Sequence, residues 1–177
     1  MANINEFKSR LKGGGARAQF FKVTLPFPSY AGGADETGDL SFLCKAASIP
    51  DNTIGEVVGI NFRGRELKVA GASRTFEPWT ITVINDTDFK LYRAFERWLN
   101  GINNLTSNEG FTNPLDYQVD GVVEQLDRDG SSIKKYTLRG MFPTTLKGIA
   151  LAYGGDDAVE EFTVDFDYQW FETDTTT

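Results

Sequence analysis

Residues 160–171 read Glu-Glu-Phe-Thr-Val-Asp-Phe-Asp-Tyr-Gln-Trp-Phe and alternate apolar and polar side chains through most of their length. Successive side chains of a β-strand point to opposite faces, so this alternation predicts a strand with one dry face and one wet, acidic face. The dry face would carry Phe162, Val164, Phe166, Tyr168 and Trp170. The wet face would carry Glu161, Thr163, Asp165, Asp167 and Gln169.

Other segments show the same period of two and are predicted as strands: residues 19–25, 41–49, 79–85, 117–126 and 133–142. Asp127-Arg128-Asp129-Gly130 separates the last two and indicates a hairpin turn, and Pro143-Thr144-Thr145 is expected to end the second. Residues 26–40 contain two prolines and three glycines and are predicted as a loop. One helix is predicted over residues 87–100, where Phe89, Tyr92, Phe95 and Leu99 form a stripe that Gly101 would terminate.

These elements predict a mainly β protein: an antiparallel sandwich or barrel with one flanking helix and a long hairpin arm. The domain itself would span residues 19–171. Residues 1–18 are expected to be a flexible basic N-terminal arm, residues 51–76 a hairpin arm between subunits, and residues 172–177 a tail.

The amino-acid composition argues against most kinds of catalytic or metal-binding site. The 177 residues include one cysteine and no histidine, and the net charge is −7. Histidine is the usual general base near neutral pH and the commonest metal ligand, so we expect no catalytic, cofactor-binding or metal site. An acidic chain is a poor binder of nucleic acid. No apolar run reaches the roughly 18 residues that span a bilayer, so we expect no membrane anchor.

The distribution of charge favours self-association. Residues 1–22 carry five cations and one anion, whereas residues 156–177 carry eight acids and no cation. The hairpin arm is basic through Arg63, Arg65, Lys68 and Arg74. Complementary patches on one chain favour head-to-tail contacts, which close into rings or propagate as filaments. The residues alone therefore predict a self-assembling structural protein, with an ordinary solvated hairpin as the alternative for residues 51–76.

Two other functions are considered from the residues. A carbohydrate-binding sandwich would use Trp79, Trp98 and Trp170 as stacking platforms, although each lies on an apolar face and core packing explains it as well. An enzyme would need a carboxylate pair such as Asp165 and Asp167, which a solvated strand face explains equally. Cys44 is expected to be a small core or interface side chain.

Several segments resemble the tail tube proteins of contractile-tailed, T4-like bacteriophages, over about residues 20–171. They comprise Phe42-Leu43-Cys44-Lys45-Ala46 with Ile49-Pro50, Leu67-Lys68-Val69-Ala70-Gly71 with Arg74-Thr75-Phe76, Trp79-Thr80-Ile81-Thr82-Val83-Ile84-Asn85-Asp86, the helix with Phe95 and Trp98, and Arg139-Gly140-Met141-Phe142-Pro143-Thr144. The stretch from Val69 to Asp86 is the most specific. Residues 32–39 and the basic N-terminal arm fit the family less well.

The resemblance implies a β-sandwich whose six copies form a ring, with one sheet of each copy joining a continuous barrel around a channel. Stacked rings would form a tube inside a sheath of the virion tail and conduct the viral genome into the host. Residues 51–76 would bridge neighbouring subunits. The implied partners are the sheath protein, the baseplate tube initiator, the tail terminator, and the tape measure protein and DNA in the channel. The same fold serves the tubes of type VI secretion and phage-like bacteriocins, which carry no DNA.

The channel wall is predicted to be formed by polar faces of the predicted strands. Gln118, Asp120 and Glu124 share one face and are the candidate residues of the lumen. An acidic wall would keep DNA from adhering, because like charges repel. Lys134 and Lys135, in the following strand, count against a purely acidic wall.

Overall fold

The computed structural model describes residues 3–153 and 158–176. Asp156 and Asp157, two of the eight acids near the C-terminus, lie outside the described residues, as do the first two residues of the predicted arm and the last residue of the predicted tail. The helices are α1 (Ile4–Arg10), α2 (Ala34–Leu43) and α3 (Lys90–Ile102). The strands are β1 (Phe21–Thr24), β2 (Cys44–Ala47), β3 (Thr53–Ile54), β4 (Val58–Phe62), β5 (Arg65–Val69), β6 (Arg74–Thr75), β7 (Trp79–Ile84), β8 (Val119–Leu126), β9 (Ser132–Leu146), β10 (Glu161–Asp167) and β11 (Trp170–Thr173).

Seven strands form one antiparallel sheet in the order β1-β8-β9-β10-β7-β2, with β11 also pairing with β9. The 15-residue strand β9 is shared by two halves: its first part pairs with β8 and β11, and its last part with β10. A register shift and Gly140 at φ 59° lie where β9 changes partners. The predicted antiparallel β architecture is confirmed, but the described residues form no closed barrel.

A single core is shared by both halves of the sheet. Val23, Leu138 and Met141 contribute from one half, and Ile81 and Phe166 from the other, all at most 1% exposed. Helix α3 covers this core with Leu91, Ala94, Phe95 and Trp98. The Phe95 ring lies 6.1 Å from the Phe162 ring and 5.9 Å from the Phe166 ring, both edge-on. The apolar residues predicted on one face of residues 160–167 are therefore those that the core buries.

The prediction of one flanking helix is wrong, because α2 occupies a segment predicted as loop and as the start of a strand. The Glu36 carboxylate accepts a hydrogen bond from the Gly33 N–H at 2.8 Å and caps the first turn. Leu40 is fully buried and anchors the helix on the core. The strand predicted over residues 41–49 accordingly shortens to β2. The short helix α1 is the third helix of the described residues and buries no side chain.

Helix α3 runs three residues later at its start and two later at its end than predicted. Phe89 adopts φ 54° just before it, while Asp86 still caps the first turn by accepting from the Lys90 N–H at 3.0 Å. Gly101 lies inside the helix and does not terminate it. A Cβ there would come 2.3 Å from the Tyr30 ring, so close packing explains this glycine.

Two strand boundaries also differ from prediction. Strand β9 does not end at Pro143 as predicted but continues to Leu146. Proline has no backbone N–H to donate, and β9 tolerates this because Pro143 lies beside an irregularity in its register with β10. The single strand predicted over residues 160–171 is two strands. Strand β10 ends at Asp167, and β11 begins at Trp170 and pairs with the first part of β9.

Candidate assembly surfaces

The three candidate lumen residues lie on or beside the outer face of β8. Gly121 and Val123 point to the core, so Asp120 and Glu124 point away from it. Gln118 precedes the strand, and its Oε1 atom would lie 3.2 Å from a Cβ added at Gly140. The structure thus brings Gln118 and Asp120 together near the β9 irregularity and leaves Glu124 four residues further along β8.

Arg139 joins three strands on this outer face. Its guanidinium contacts the Asp120 carboxylate at 2.6 Å and the Glu172 carboxylate at 2.8 Å, linking β9 to β8 and β11. Partial burial disfavours the charged form of Asp120, but hydrogen bonds from the Gly140 N–H and from Arg139 outweigh it and hold its pKa below the usual value. The hydrogen bond from Arg139 likewise lowers the pKa of Glu172. Neither Arg139 nor Glu172 was among the residues predicted from the sequence to form a site.

Charges on the outer face are balanced. Glu124 sits opposite Lys22 of β1 on one side and Lys135 of β9 on the other. With Arg139 and its two carboxylates, the face carries three cations and three anions. It offers neither the cation array that grips phosphate nor the acidic wall suggested by the sequence.

The four-stranded half β1-β8-β9-β11 has an open edge on each side. The Leu126 N–H donates to the Phe20 carbonyl at 2.8 Å, and this sets which β1 residues bond to β8. With the observed register, the backbone groups of Phe21 and Val23 point to the open side. On the other side, β11 pairs with β9 and with no further strand of the described chain. Such unpaired edges are templates for strands of another copy.

The hairpin arm forms two short ladders, β3 with β6 at its base and β4 with β5 at its tip. Arg63 at φ 49° and Gly64 at φ 81° form the two-residue turn, as expected of a primed hairpin turn. At the base, the Phe76 ring packs 5.6 Å from Tyr168 and 5.9 Å from Phe171. The base of the arm is therefore packed against β11 and the residues just before it, whereas the β4–β5 tip is exposed.

The four predicted arm cations do not form one patch. Arg74 belongs to the base, where its Nη1 donates to Asn52 Oδ1 at 3.1 Å. Arg65 faces the same side as Ile60 and Leu67, while Lys68 lies on the opposite side with Glu66. Within the described residues, no carboxylate lies within 4 Å of Arg63, Arg65 or Lys68.

The tip hairpin also carries an apolar face that the sequence analysis overlooked. Cross-strand pairing groups its members on one side, at 44% to 66% exposure: Val58, Ile60, Phe62, Leu67 and Val69. Their alternation around Gly64 is visible in the sequence and could have predicted this face.

Most side chains considered for other functions are used in the core or in an ion pair. Trp170 is the exception: it was predicted on the dry face but is 50% exposed beside Arg139, and its indole N–H donates to Glu172 at 3.3 Å. Trp79 and Trp98 are buried, and their indole N–H groups donate to the Ser48 and Tyr117 carbonyls at 2.7 and 2.9 Å, so neither can stack on a sugar. Asp165 accepts from Thr80 and lies 3.3 Å from the Lys147 ammonium. Burial raises the pKa of the Cys44 thiol to about 11. The described residues contain no helix able to span a bilayer and no cluster of three potential metal ligands.

Open sheet edges and a projecting apolar hairpin are features of a structural subunit that associates with copies of itself. The comparisons with known proteins identify which one. The family model described as phage tail tube protein matches residues 16–174. The chain is 36% identical over 170 residues to the tail tube protein of Serratia phage KSP90, covering 95% of each chain. It is 28% identical over 162 residues to tail tube protein gp19 of Enterobacteria phage T4, covering 89% of this chain and 91% of that one.

Solved structures agree on the fold. A chain of the anti-feeding prophage baseplate superimposes with a TM-score of 0.61 at 17% identity, covering 90% of this chain and 95% of that one. A chain of an extracellular contractile injection system, from its extended sheath-tube complex, gives a TM-score of 0.55 at 16% identity, covering 97% and 99%. The chain belongs to the phage tail tube protein family. It is a non-enzymatic structural component of a contractile tail and of the virion.

Proposed function

We propose that six copies of this chain form a ring in which the half-sheets β1-β8-β9-β11 join edge to edge into one barrel around a channel. The observation that carries this proposal is the pair of open edges, β1 and β11, on opposite sides of the same half-sheet. About 24 strands, spaced about 4.8 Å apart and tilted by about 40°, give a barrel roughly 48 Å across between backbones. Such a channel is wide enough for a nucleic-acid duplex.

Within each subunit, the second half-sheet would form the outer layer of a β-sandwich. Support comes from the shared core, to which both halves contribute buried side chains. The outer face of β1-β8-β9-β11 then lines the channel and includes Gln118, Asp120 and Glu124. The ion pairs of Arg139 on this face neutralise local charge and leave DNA few sites to bind.

Rings would stack into a tube inside the sheath, with the hairpin arm of each copy, which carries Arg63, Arg65, Lys68 and Arg74, bridging to a neighbouring copy. The tube would conduct the viral genome during ejection. The sheath protein, the baseplate tube initiator and the tail terminator would be its partners, with the tape measure protein and DNA in the channel. The fold neighbours come from a baseplate and a sheath-tube complex, which supports such contacts. Both sequence relatives are phage proteins, which favours a phage tube over a secretion or bacteriocin tube.

A matched pair of proline variants tests ring closure. Phe21→Pro removes an N–H that points to the open edge of β1, and with it a ring that packs against the core. The monomer is therefore expected to stay folded with a moderate loss of stability, while rings disappear. Lys22→Pro removes an N–H that points to β8 and is expected to lower the stability of the monomer instead. Sedimentation velocity and urea unfolding distinguish the two effects. Rings of normal abundance with Phe21→Pro would contradict pairing through β1.

A further inference from the structure

Strand β11 ends in a tight turn formed by residues 173–176, called here the tail turn. The Thr173 N–H donates to the Thr176 hydroxyl oxygen at 2.8 Å, and the Thr173 carbonyl accepts from the Thr176 N–H at 3.0 Å. A further hydrogen bond runs from the Thr175 N–H to the Thr173 hydroxyl oxygen at 3.3 Å. Both backbone polar groups of the last residue of β11 are therefore bonded within the tail itself.

The hydrogen-bond pattern of the half-sheet β1-β8-β9-β11 shows which way these groups point. In an antiparallel ladder, alternate residues bond to the strand on one side, and the residues between them point to the other side. Counted across the sheet from the bond between Leu126 and Phe20, this alternation makes Glu172 of β11 bond to β9. Phe171 and Thr173 therefore point their backbone groups away from β9. The tail turn thus occupies the open edge of β11.

This open edge matches the open edge of β1 in the face that its residues share. Phe21 and Val23, whose backbone groups point to the open side of β1, both contact the core. On β11, Phe171 packs against the core and Thr173 is 7% exposed. Residues directly opposite each other in an antiparallel pair lie on the same face of the sheet. Strands β1 and β11 of two copies therefore agree both in hydrogen-bond pattern and in the face that they bury.

The two edges also define a register. Neighbouring strands of the half-sheet alternate in direction, so β11 of one copy would run antiparallel to β1 of the next. Full overlap of the two four-residue strands sets Thr173 opposite Phe21 and Glu172 opposite Lys22. Lys22 has no carboxylate within 4 Å in the described part of the chain, so this register gives it one. The same register requires the backbone groups of Thr173 that the tail turn uses.

We infer that the tail turn is a removable cap of the β11 edge, which covers the edge in a free copy and gives way to β1 of the next copy when a ring closes. The turn supplies one acceptor and one donor where Phe21 would supply its own carbonyl and N–H. Opening the turn therefore exchanges hydrogen bonds without leaving Thr173 unsatisfied. An edge that is covered until the correct strand arrives is protected from indiscriminate pairing. The inference rests on the proposed function, since it assumes that β1 and β11 of neighbouring copies pair.

A disulfide that holds the tail turn closed tests this inference. The Cα atoms of the first and fourth residues of a tight turn lie within about 7 Å, a separation near the range that a disulfide spans. The full-length variant Thr173→Cys with Thr176→Cys should form no rings when oxidised and should form them again once it is reduced. The single variant Thr176→Cys cannot make this bond and should form rings under both conditions. Cys44 is buried and does not compete. Sedimentation velocity measures the rings.

A second pair of variants opens the cap instead of locking it. Thr176→Pro removes both the N–H and the hydroxyl group that bond to Thr173, so the concentration needed for rings should fall on the order of tenfold, as expected for lost hydrogen bonds of ordinary net strength. Thr176→Ser keeps both groups and should assemble as the parent does.

The possible outcomes separate the cap from ring formation. Rings from the oxidised double-cysteine variant at the parental concentration, or an unchanged threshold for Thr176→Pro, would overturn the cap and leave the proposed ring standing. If the reduced double-cysteine variant also forms no rings, the comparison of Thr176→Pro with Thr176→Ser decides alone. If the parent forms no rings at any concentration, both the inference and the proposed function fail.

Discussion

Replacing Ile60 and Leu67 by threonine removes apolar surface from the tip of the arm while keeping residues that favour strands. The two side chains are 51% and 61% exposed in the single chain, so a docked partner can still bury about half of each. Complete burial of such a side chain contributes about 1.5–3 kcal/mol, and half of it contributes about 1 kcal/mol. The pair should therefore cost about 2 kcal/mol per docked arm.

A loss of about 2 kcal/mol corresponds to about a 30-fold weaker contact. The concentration above which tubes form should rise accordingly, as measured by pelleting across a dilution series. The free energy of unfolding of the unassembled chain, measured in urea, should stay within about 0.5 kcal/mol of the parent, because neither side chain belongs to the core.

The opposite face of the hairpin supplies a matched control. Asn61→Thr with Glu66→Thr places the same residues on the same two strands but on the polar side. This control should assemble at the parental concentration. An unchanged threshold for Ile60→Thr with Leu67→Thr, or an equal rise for both variants, would refute the reasoning that the apolar face makes the contact.

Three further predictions concern the single subunit. Phe95→Ala should lower the free energy of unfolding by about 3–5 kcal/mol in urea titrations, since Phe95 is fully buried against β10; a loss below 1 kcal/mol would contradict this packing. The pKa values of Asp120 and Glu172 are lower in the folded chain than in the unfolded chain, where they lie near 4. Their ion pairs therefore stabilise the fold fully above pH about 4, and this stabilisation is lost as the pH falls through the pKa values of the folded chain. Urea titrations from pH 7 to 3 should show this loss and a shallower one in Arg139→Met; equal slopes would count against it. Cys44, with a pKa of about 11, should react with a thiol reagent at pH 8 far more slowly in the folded chain than in urea, and equal rates would disprove its protection.

The sequence predicted those elements whose periodicity and burial agree. In β7 and β10, alternate residues are buried, and in α3 the apolar stripe packs on β10, so local pattern and tertiary contact give the same answer. Helix α2 was missed because Gly38 and a polar first half hide it. It depends on one buried leucine and a side-chain cap, which only the folded chain brings together.

The sequence predicted which charged residues the candidate surfaces contain, but not which of those residues lie side by side. The basic character of the arm is plain in the sequence, whereas its division into an apolar face with Arg65 and a polar face with Lys68 depends on the register around Gly64. The pairing of Asp120 with Arg139 depends on the irregular register between β8 and β9. Arg139 and Glu172 are 33 positions apart and meet because β11 pairs with β9.

Cryo-electron microscopy of tubes assembled from the purified chain tests the central claim most directly. The account predicts hollow six-fold rings in which β1 of each copy pairs with β11 of the next, around a barrel roughly 48 Å across between backbones. Solid filaments, or rings joined through the helices with β1 and β11 unpaired, would contradict it.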